Sequence, residues 1–391
     1  MIKLVINSVP TAPGGGLTNL LGLLEGWRRT DADVNVTVMA SRPETLDALN
    51  AGGWSENLHA VPMMGLARRM IWERAELPNL LRQLRADLVL SNNFMLPSAP
   101  CPQVVHHQNL FTCFSPGFLP YARLGPKFLM MNVAARHALK HAAANVFISH
   151  HVREHAERMV PCSAPRNHVV YYGLSETYSR VAREVVRRSR STRRLMAMQF
   201  PEGYKDNESL LSAFATLVQQ QPDHDWQLDI AGWGNWDACK QRAAQLGIAS
   251  RVNFLGFVNG KQVVGLLRAA DCLIYPSVFE GFGLPVIEAQ AAGCPVVAVR
   301  GTAIPEIAGN AAMLVSPRSP SEIAKSVMRL YSEPGLRERL VEMGQRNARQ
   351  FAWTRSAQQF CRVFENVLHE PVPTRTVLEP EVAGAQPALA A

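Results

Sequence analysis

The sequence predicts two α/β domains, each a doubly wound parallel sheet with helices on both faces. Short apolar runs of strand length alternate with helical stretches through most of the chain, which is the pattern of repeated βαβ units. A length of 391 residues fits two domains of about 150 residues each. The stretch from residue 173 to 194 is polar and basic and lacks strand character, so it predicts a linker between the domains.

Six apolar runs predict the strands of the first domain, residues 1–172. Helical stretches separate most of these runs, and the strands of a parallel sheet need such crossover connections. The predicted strands are Ile2–Ile6, Val34–Met39, Leu88–Leu90, Val104–His106, Asn145–Ile148 and His168–Tyr171.

Six further runs follow the linker and predict the second domain, residues 195–352, which helical stretches from about residue 320 close. The tail at 370–391 is rich in Pro, Ala and Val with few aromatic residues, so it is predicted to be disordered. The predicted strands are Leu195–Met198, Trp226–Ala231, Val252–Leu255, Cys272–Tyr275, Pro295–Val299 and Ala312–Val315.

The composition of the chain indicates where the protein is located and which partners it binds. The seven cysteines are scattered without a Cys-x-x-Cys pair, which is typical of buried thiols in a reducing compartment. The N-terminal strand is too short for a signal-peptide core, and no run approaches the roughly 20 apolar residues of a membrane-spanning helix. We therefore expect a cytoplasmic protein. The net charge of +8 is accompanied by no nucleic-acid recognition motif, so nucleic acid is not an expected partner.

Residues 277–293 carry the strongest functional signal. Glu280 and Glu288 flank the glycine loop Gly281-Phe282-Gly283, and the loop leads into a predicted helix at Leu284. A helix N-terminus behind glycines presents free N–H groups and a partial positive charge, which suits a phosphate. Glu288 lies one turn into the helix, where a carboxylate suits vicinal hydroxyls. For either glutamate alone, the alternative is a solvent-exposed side chain on a loop or an amphipathic helix. The two glutamates, the glycine loop and the helix start in this order indicate a nucleotide-sugar site.

This segment resembles the Glu-x7-Glu signature of the retaining glycosyltransferases of family 4. The resemblance implies the GT-B fold, in which two Rossmann-like domains face a cleft and a last helix, here at 353–369, crosses back onto the first domain. It also implies that the loop amides from Gly281 to Leu284, chiefly those of Gly283 and Leu284, hold the donor diphosphate. Glu288 would bind the ribose hydroxyls, and Glu280 would lie by the donor sugar.

Lys205 precedes the capped start of an amphipathic helix, Ser209–Gln219, and a lysine at a helix entrance suits a diphosphate. Family members have an Arg and this Lys in one loop, both on the donor phosphates. The Arg position falls near Met198-Gln199 in this chain, so the Arg is missing, and Arg193 or Arg194 is a candidate replacement. An ordinary surface lysine is the alternative for Lys205.

Three polar or glycine-rich segments of the first domain follow predicted strands. The resemblance places Gly15 and Gly16 by the donor phosphates and gives a cleft role to one histidine of His106-His107-Gln108-Asn109. We favour His107 as the catalytic one and place His106 and Asn109 on the acceptor side; strand-end packing is the alternative. Ser149 is interpreted as a helix cap rather than a catalyst.

Two further segments resemble family positions beside the nucleotide base. Gly232 opens the turn Gly232-Trp233-Gly234, and Val258 follows a strand; structural turns are the alternative for both. Asp223-His224-Asp225 and Asp31-Ala32-Asp33 look like Asp-x-Asp metal sites, but each precedes a strand. We interpret them as solvated loops, so the expected enzyme needs neither a metal nor a cofactor.

The resemblance as a whole implies a retaining hexosyltransferase that moves a sugar from a nucleoside-diphosphate sugar to a saccharide or lipid-linked acceptor, in cell-surface polysaccharide or glycolipid synthesis. Two rivals stay open. One is another enzyme on the same fold, such as a sugar-nucleotide epimerase or an α-glucan phosphorylase-like enzyme. The other is a non-catalytic module that binds nucleotide-sugars.

Arginines, and in one segment Lys127, beside apolar side chains predict weak, reversible binding to anionic membranes, which would place the protein at the inner face of the membrane. The segments are 66–72, 124–131 and the arginine-rich block 183–194. Packing between helices, or a solvated linker face, is an equal alternative.

Overall fold

A computed structural model describes residues 1–11, 14–108, 126–175, 177–178, 192–201 and 203–369. It contains two parallel sheets. The first has seven strands in the order β3-β2-β1-β4-β5-β6-β7, and the second has six in the order β10-β9-β8-β11-β12-β13. The predicted pair of doubly wound α/β domains is therefore confirmed. Most of the predicted linker, the predicted tail and Asn109 lie outside the described residues.

The first sheet includes one strand that the sequence did not predict. Leu58–Ala60 is a three-residue edge strand that pairs with the strand at Val34–Ala40, and so short a run gives no recognisable alternation. The seven strands are β1 (Ile2–Asn7), β2 (Val34–Ala40), β3 (Leu58–Ala60), β4 (Leu88–Asn92), β5 (Gln103–His107), β6 (Ala144–Phe147) and β7 (Asn167–Val169).

The helices described in the first domain connect these strands. They are α1 (Gly15–Arg28), α2 (Pro43–Ala51), α3 (Leu66–Ala75), α4 (Leu77–Gln83), α5 (Pro126–His141) and α6 (His150–Met159).

The second sheet contains the six strands that the sequence predicts. They are β8 (Thr192–Met198), β9 (Asp225–Ala231), β10 (Val252–Gly256), β11 (Cys272–Tyr275), β12 (Val296–Val299) and β13 (Met313–Val315). The helices around it are α7 (Asn207–Gln220), α8 (Asp237–Gln245), α9 (Gly260–Ala269), α10 (Leu284–Ala291), α11 (Ile304–Ala308), α12 (Pro320–Ser332) and α13 (Leu336–Ala348).

The last helix, α14 (Trp353–His369), crosses back onto the first domain and packs against α1. The Trp27 indole N–H donates to the carbonyl of Ala357 at 3.1 Å. The two helices approach so closely at Gly22 that a Cβ there would lie 2.1 Å from the Trp353 ring. The resemblance implies this packing of the last helix against the first domain.

Each sheet has a topological switch point, where ligands bind in open α/β sheets. In the second sheet β8 lies between β9 and β11, and in the first β1 lies between β2 and β4. Most of the predicted site residues lie in the loops that follow the strands at these two switch points.

Candidate active site

Lys205 and Glu280 meet at the switch point of the second sheet. Lys205 follows β8 and Glu280 follows β11, and the two strands are neighbours. The Lys205 Nζ lies 2.6 Å from Glu280 Oε1, and the two side chains are only 7% and 14% exposed. Residues 75 positions apart therefore form one largely buried ion pair.

The Tyr275 hydroxyl completes this pair. It donates to Glu280 Oε1 at 2.7 Å and accepts from Lys205 Nζ at 3.3 Å. Burial, together with the neighbouring Glu280 carboxylate, raises the pKa of Tyr275 well above its usual value, so its proton stays in place. The Lys205 ammonium also lies 5.2–5.5 Å from the centroids of three aromatic rings, those of Phe200, Tyr204 and Tyr275. Aromatic faces attract a cation, so these rings stabilise the charge of Lys205.

The glycine loop leads into α10 as the sequence predicts. Gly283 precedes the helix with φ +96°, a left-handed conformation that favours glycine, and a Cβ there would also lie 2.5 Å from Ile304 Cδ1. Leu284 and Pro285 form the first turn, and proline is favourable there because its missing N–H has no helical partner. The loop therefore presents a helix N-terminus beside the Lys205–Glu280 pair.

Phe282 turns its side chain away from this loop. Its ring is 3% exposed and lies 5.0 Å from the ring of Tyr172, a residue of the first domain. The donor-binding role predicted for Phe282 can therefore belong only to its backbone.

Glu288 lies one turn into α10 and is half-buried. Burial raises the pKa of its carboxyl to about 7, and a hydrogen bond from the Tyr178 hydroxyl partly opposes that rise. Tyr178 lies in the segment between the two domains and is buried. This contact was not predictable from the sequence, because a tyrosine at that point is typical of ordinary apolar packing.

In the first domain, the start of α1 and the carboxyl ends of β4 and β5 carry a polar network. Gly15 and Gly16 form the first turn of α1, and a Cβ on Gly16 would lie 3.5 Å from Gln108 Oε1. The Gln108 amide nitrogen lies 2.9 Å from Asn19 Oδ1, 2.9 Å from Asn92 Oδ1 and 3.2 Å from His106 Nδ1. No role was predicted for Gln108, Asn19 or Asn92, although polar residues at strand ends were the available signal.

His106 and His107 are both fully buried and face opposite sides of β5. His107 Nε2 lies 3.0 Å from Asn145 Oδ1 and its ring stacks on Phe147, whereas His106 packs edge-on against Phe360. Burial lowers the pKa of His106 to about 3 and that of His107 to about 4, so both rings are neutral at physiological pH. These contacts lend no support to a catalytic His107, and the roles assigned to both histidines stay predictions.

The candidate replacements for the missing arginine were wrong. Arg193 and Arg194 lie at the amino end of β8, whereas the site lies beyond its carboxyl end. The Arg193 guanidinium stacks over Tyr331 at 4.2 Å, and Arg194 pairs with Asp229 at 2.7 Å. Gln199, near which the resemblance places the missing arginine, is buried.

Gly232 opens the predicted turn after β9 with φ +149°, and a Cβ there would overlap the carbonyl of Gln199, so glycine is required. Val258 is half-buried just before α9. The neighbouring Trp233 and Phe257 are 63% and 77% exposed. Both aromatic rings lie beside the predicted base-binding backbone, and the sequence analysis predicts no role for either ring.

Of the two Asp-x-Asp segments, Asp31-Ala32-Asp33 lies before a strand as predicted, whereas Asp223-His224-Asp225 runs into its strand. Asp31 and Asp33 precede β2, and Asp225 is the first residue of β9. Across the described residues, no group of three or more His, Cys, Asp or Glu side chains could hold a metal ion.

Comparisons with known proteins add two family matches. The model of glycosyl transferases group 1 matches residues 196–347, and that of glycosyltransferase family 4 matches residues 13–177. Among curated relatives, the D-inositol 3-phosphate glycosyltransferase of Corynebacterium glutamicum is 31% identical over 172 residues, 42% of this chain and 41% of that one. The O-antigen chain mannosyltransferase B of Escherichia coli is 28% identical over 166 residues, 42% of this chain and 43% of that one.

The chain spans about two fifths of the length of these curated relatives. Among solved structures, HepE from Anabaena, in complex with UDP and glucose, superposes with a TM-score of 0.70. That likeness covers 94% of this chain and 100% of the other at 18% identity, so it shows the two-domain fold alone.

Proposed function

The chain belongs to the glycosyltransferases of group 1 and family 4, and on that premise we propose that it transfers a sugar from a nucleoside-diphosphate sugar to a hydroxyl acceptor with retention of configuration. One observation carries this proposal. The buried Lys205–Glu280 pair lies beside the N-terminus of α10, and Glu288 lies one turn along the same helix. A cation, a helix N-terminus and two carboxylates are what a diphosphate joined to two sugars requires.

The donor would lie along α10. The amides from Gly281 to Leu284 and the ammonium of Lys205 would hold the diphosphate, while Glu288 would accept hydrogen bonds from the ribose hydroxyls. Gly232 and Val258 would border the base, and Glu280 would contact the donor sugar. Gly15 and Gly16 would approach the phosphates from the first domain, with the acceptor bound on that side near His106 and Asn109.

Catalysis would be electrostatic. The leaving diphosphate oxygen takes the acceptor proton, while Lys205 and the helix amides stabilise its growing charge. Lys205 must then turn from Glu280 toward the diphosphate. The Tyr275 hydroxyl remains bonded to Glu280 Oε1 during this exchange, so the carboxylate keeps a donor. Since one lysine and a helix N-terminus supply the positive charge, we propose that the transfer needs no metal ion.

A membrane-bound acceptor fits the first domain. The exposed apolar side chains of α3 are Leu66, Met70 and Ile71, and they share the helix with Arg68 and Arg74. Helix α5 exposes Leu129, Met130 and Val133. None of the helices described for this chain is both long and apolar enough to cross a bilayer. We propose that these two surfaces bind anionic lipid weakly and present a lipid-linked acceptor to the cleft.

A thermal-shift screen with UDP, GDP and ADP, followed by product analysis with the matching donor, tests the function. A ligand at 100 times its dissociation constant adds about 2.7 kcal/mol of stability, so the preferred nucleotide will raise the melting temperature measurably. Transfer to an added acceptor supports the proposal. Isomerised donor without an acceptor would indicate an epimerase, and tight binding without any turnover would indicate a binding module.

A further inference from the structure

Glu306, in α11 of the second domain, caps a helix of the first domain. Its Oε1 accepts a hydrogen bond from the backbone N–H of His150 at 2.7 Å, and its Oε2 accepts one from the N–H of His151 at 3.0 Å. These two residues begin α6, and the Tyr171 hydroxyl is a third donor to the carboxylate, bonded to Oε1 at 2.8 Å. A carboxylate is most favourable at a helix N-terminus, because the unpaired amides and the helix dipole both attract it.

Ser149 makes a second bond across the same contact. Its hydroxyl oxygen accepts from the N–H of Val152, which confirms that it caps α6, and the hydroxyl donates to the carbonyl of Gly281 at 2.7 Å. Gly281 belongs to the glycine loop. The start of α6 therefore contacts the second domain at two places, the glycine loop and α11.

Glu280 is tied to the segment that carries Glu306. The N–H of Glu280 donates to Thr302 Oγ1 at 3.1 Å, and the carbonyl of Glu280 accepts from the N–H of Ala303 at 3.3 Å. Thr302 has φ +53°, an unfavourable conformation for a β-branched residue, so surrounding contacts must hold it. Only two residues separate Ala303 from Glu306, and both lie in α11.

We propose that Glu306 is a positioning residue, which docks the first domain against α11 and so couples closure of the two domains to the placement of Glu280 against Lys205. When the domains close, α6 receives its cap and α11 is fixed. Thr302 and Ala303 then hold both backbone groups of Glu280, and Ser149 holds the residue after it. When the domains separate, the bonds across the contact are lost, the two bonds to the backbone of Glu280 lose their support, and the Lys205–Glu280 pair loses its alignment.

This inference rests on the proposed transfer for its kinetic consequences but not for its structural ones. The N-terminus of α10 and Glu288 lie on the second domain and do not contact Glu306 in the hydrogen bonds described above. Glu306 should consequently matter for turnover, where Lys205 and Glu280 act, more than for nucleotide binding.

The variant Glu306→Gln tests the coupling with little change in volume. A glutamine has one acceptor oxygen and presents an amide N–H₂ where the second backbone N–H points, so the double cap is lost. Glu322→Gln is the matched control, because Glu322 also accepts from a backbone N–H, that of Ser316 at 2.8 Å, but within the second domain. Ser149→Ala is a second variant, which removes the other bond across the contact.

Three quantities are measured on the full-length protein: kcat, the dissociation constant of the nucleotide found in the thermal-shift screen, and the distance between spin labels placed one on each domain. For Glu306→Gln we expect kcat to fall roughly tenfold to 100-fold, the size expected for a lost charge-assisted hydrogen bond. The nucleotide dissociation constant should stay within about threefold of the wild-type value, and the distance distribution should shift to longer values. In Ser149→Ala, kcat should also fall and the distances should also lengthen.

Wild-type kcat and distances in Glu306→Gln would overturn the coupling, as would an equal loss in Glu322→Gln. A nucleotide affinity that falls as much as kcat would also overturn it, since Glu306 would then act on donor binding. If the wild-type protein shows no transfer at all, the proposed function fails. The distance measurement still decides whether Glu306 holds the domains together.

Discussion

Nucleotide-sugar binding should depend on pH through Glu288. The carboxyl of this residue has a pKa of about 7 because it is buried, well above the usual value for a glutamate. A carboxylate can accept hydrogen bonds from both ribose hydroxyls, whereas the protonated acid must use one oxygen as a donor. Raising the pH through 7 ionises Glu288 and should tighten binding; lowering it should weaken binding.

The size of the effect follows from that pKa. At pH 6 about 9% of Glu288 is ionised and at pH 8 about 91%, if the group titrates alone. When only the ionised form binds ribose, the dissociation constant should fall about tenfold between these pH values, or about 1.4 kcal/mol.

Titration calorimetry at pH 6, 7 and 8 with an intact nucleoside-diphosphate sugar measures this change. The intact donor is preferable to the free nucleotide, because a terminal phosphate titrates with a pKa near 6 and would add its own pH dependence. Glu288→Gln should bind more weakly at pH 8 and lose the dependence. Tyr178→Phe removes a hydrogen bond that favours the ionised form, so the midpoint should move above that of the wild type.

A matched control is Glu342→Gln, because Glu342 is a solvent-exposed glutamate of the same domain that is paired with Arg346. It should keep both the affinity and the pH dependence of the wild type. Two results would refute the reasoning: a constant affinity from pH 6 to pH 8 in the wild type, or an unchanged slope in Glu288→Gln.

Three further outcomes are expected. Lys205→Ala should lower kcat by roughly tenfold to 100-fold, equivalent to about 1.5–3 kcal/mol. Donor affinity should change less, because the negative charge on the leaving diphosphate oxygen grows in the transition state. Steady-state kinetics with wild-type values would contradict the role of Lys205. Excess EDTA should leave turnover nearly intact, and loss of activity restored by manganese or magnesium would contradict metal independence. Pelleting with anionic vesicles should exceed pelleting with neutral ones, fade with salt and fall in a Met70→Asp/Ile71→Asp double variant; equal pelleting on both vesicle types would contradict the membrane surface.

The fold was predictable because its signals are local. Alternation of apolar runs with helical stretches indicated both sheets, and among the strands of the described residues the sequence failed to predict the three-residue Leu58–Ala60. The loop at Gly283 and the helix after it were equally predictable. Glycine is favoured in a tight loop and proline in the first turn of a helix, so the two residues together indicate where the helix begins. The resemblance to family 4 implied a donor site for Lys205 and Glu280, and the structure explains why they meet: the carboxyl ends of neighbouring parallel strands share one edge of a sheet.

By itself, the sequence determined which chemical groups gather at that edge: one lysine, two carboxylates and a helix N-terminus. Only the tertiary structure decided what those groups contact. It placed Tyr275 between Lys205 and Glu280, Tyr178 on Glu288, and Glu306 on a helix 156 residues away along the chain. It also placed Arg193 and Arg194 at the wrong end of β8 to replace the missing arginine. The physical reason is that periodicity fixes which face a side chain takes, whereas its partners depend on how loops and domains pack.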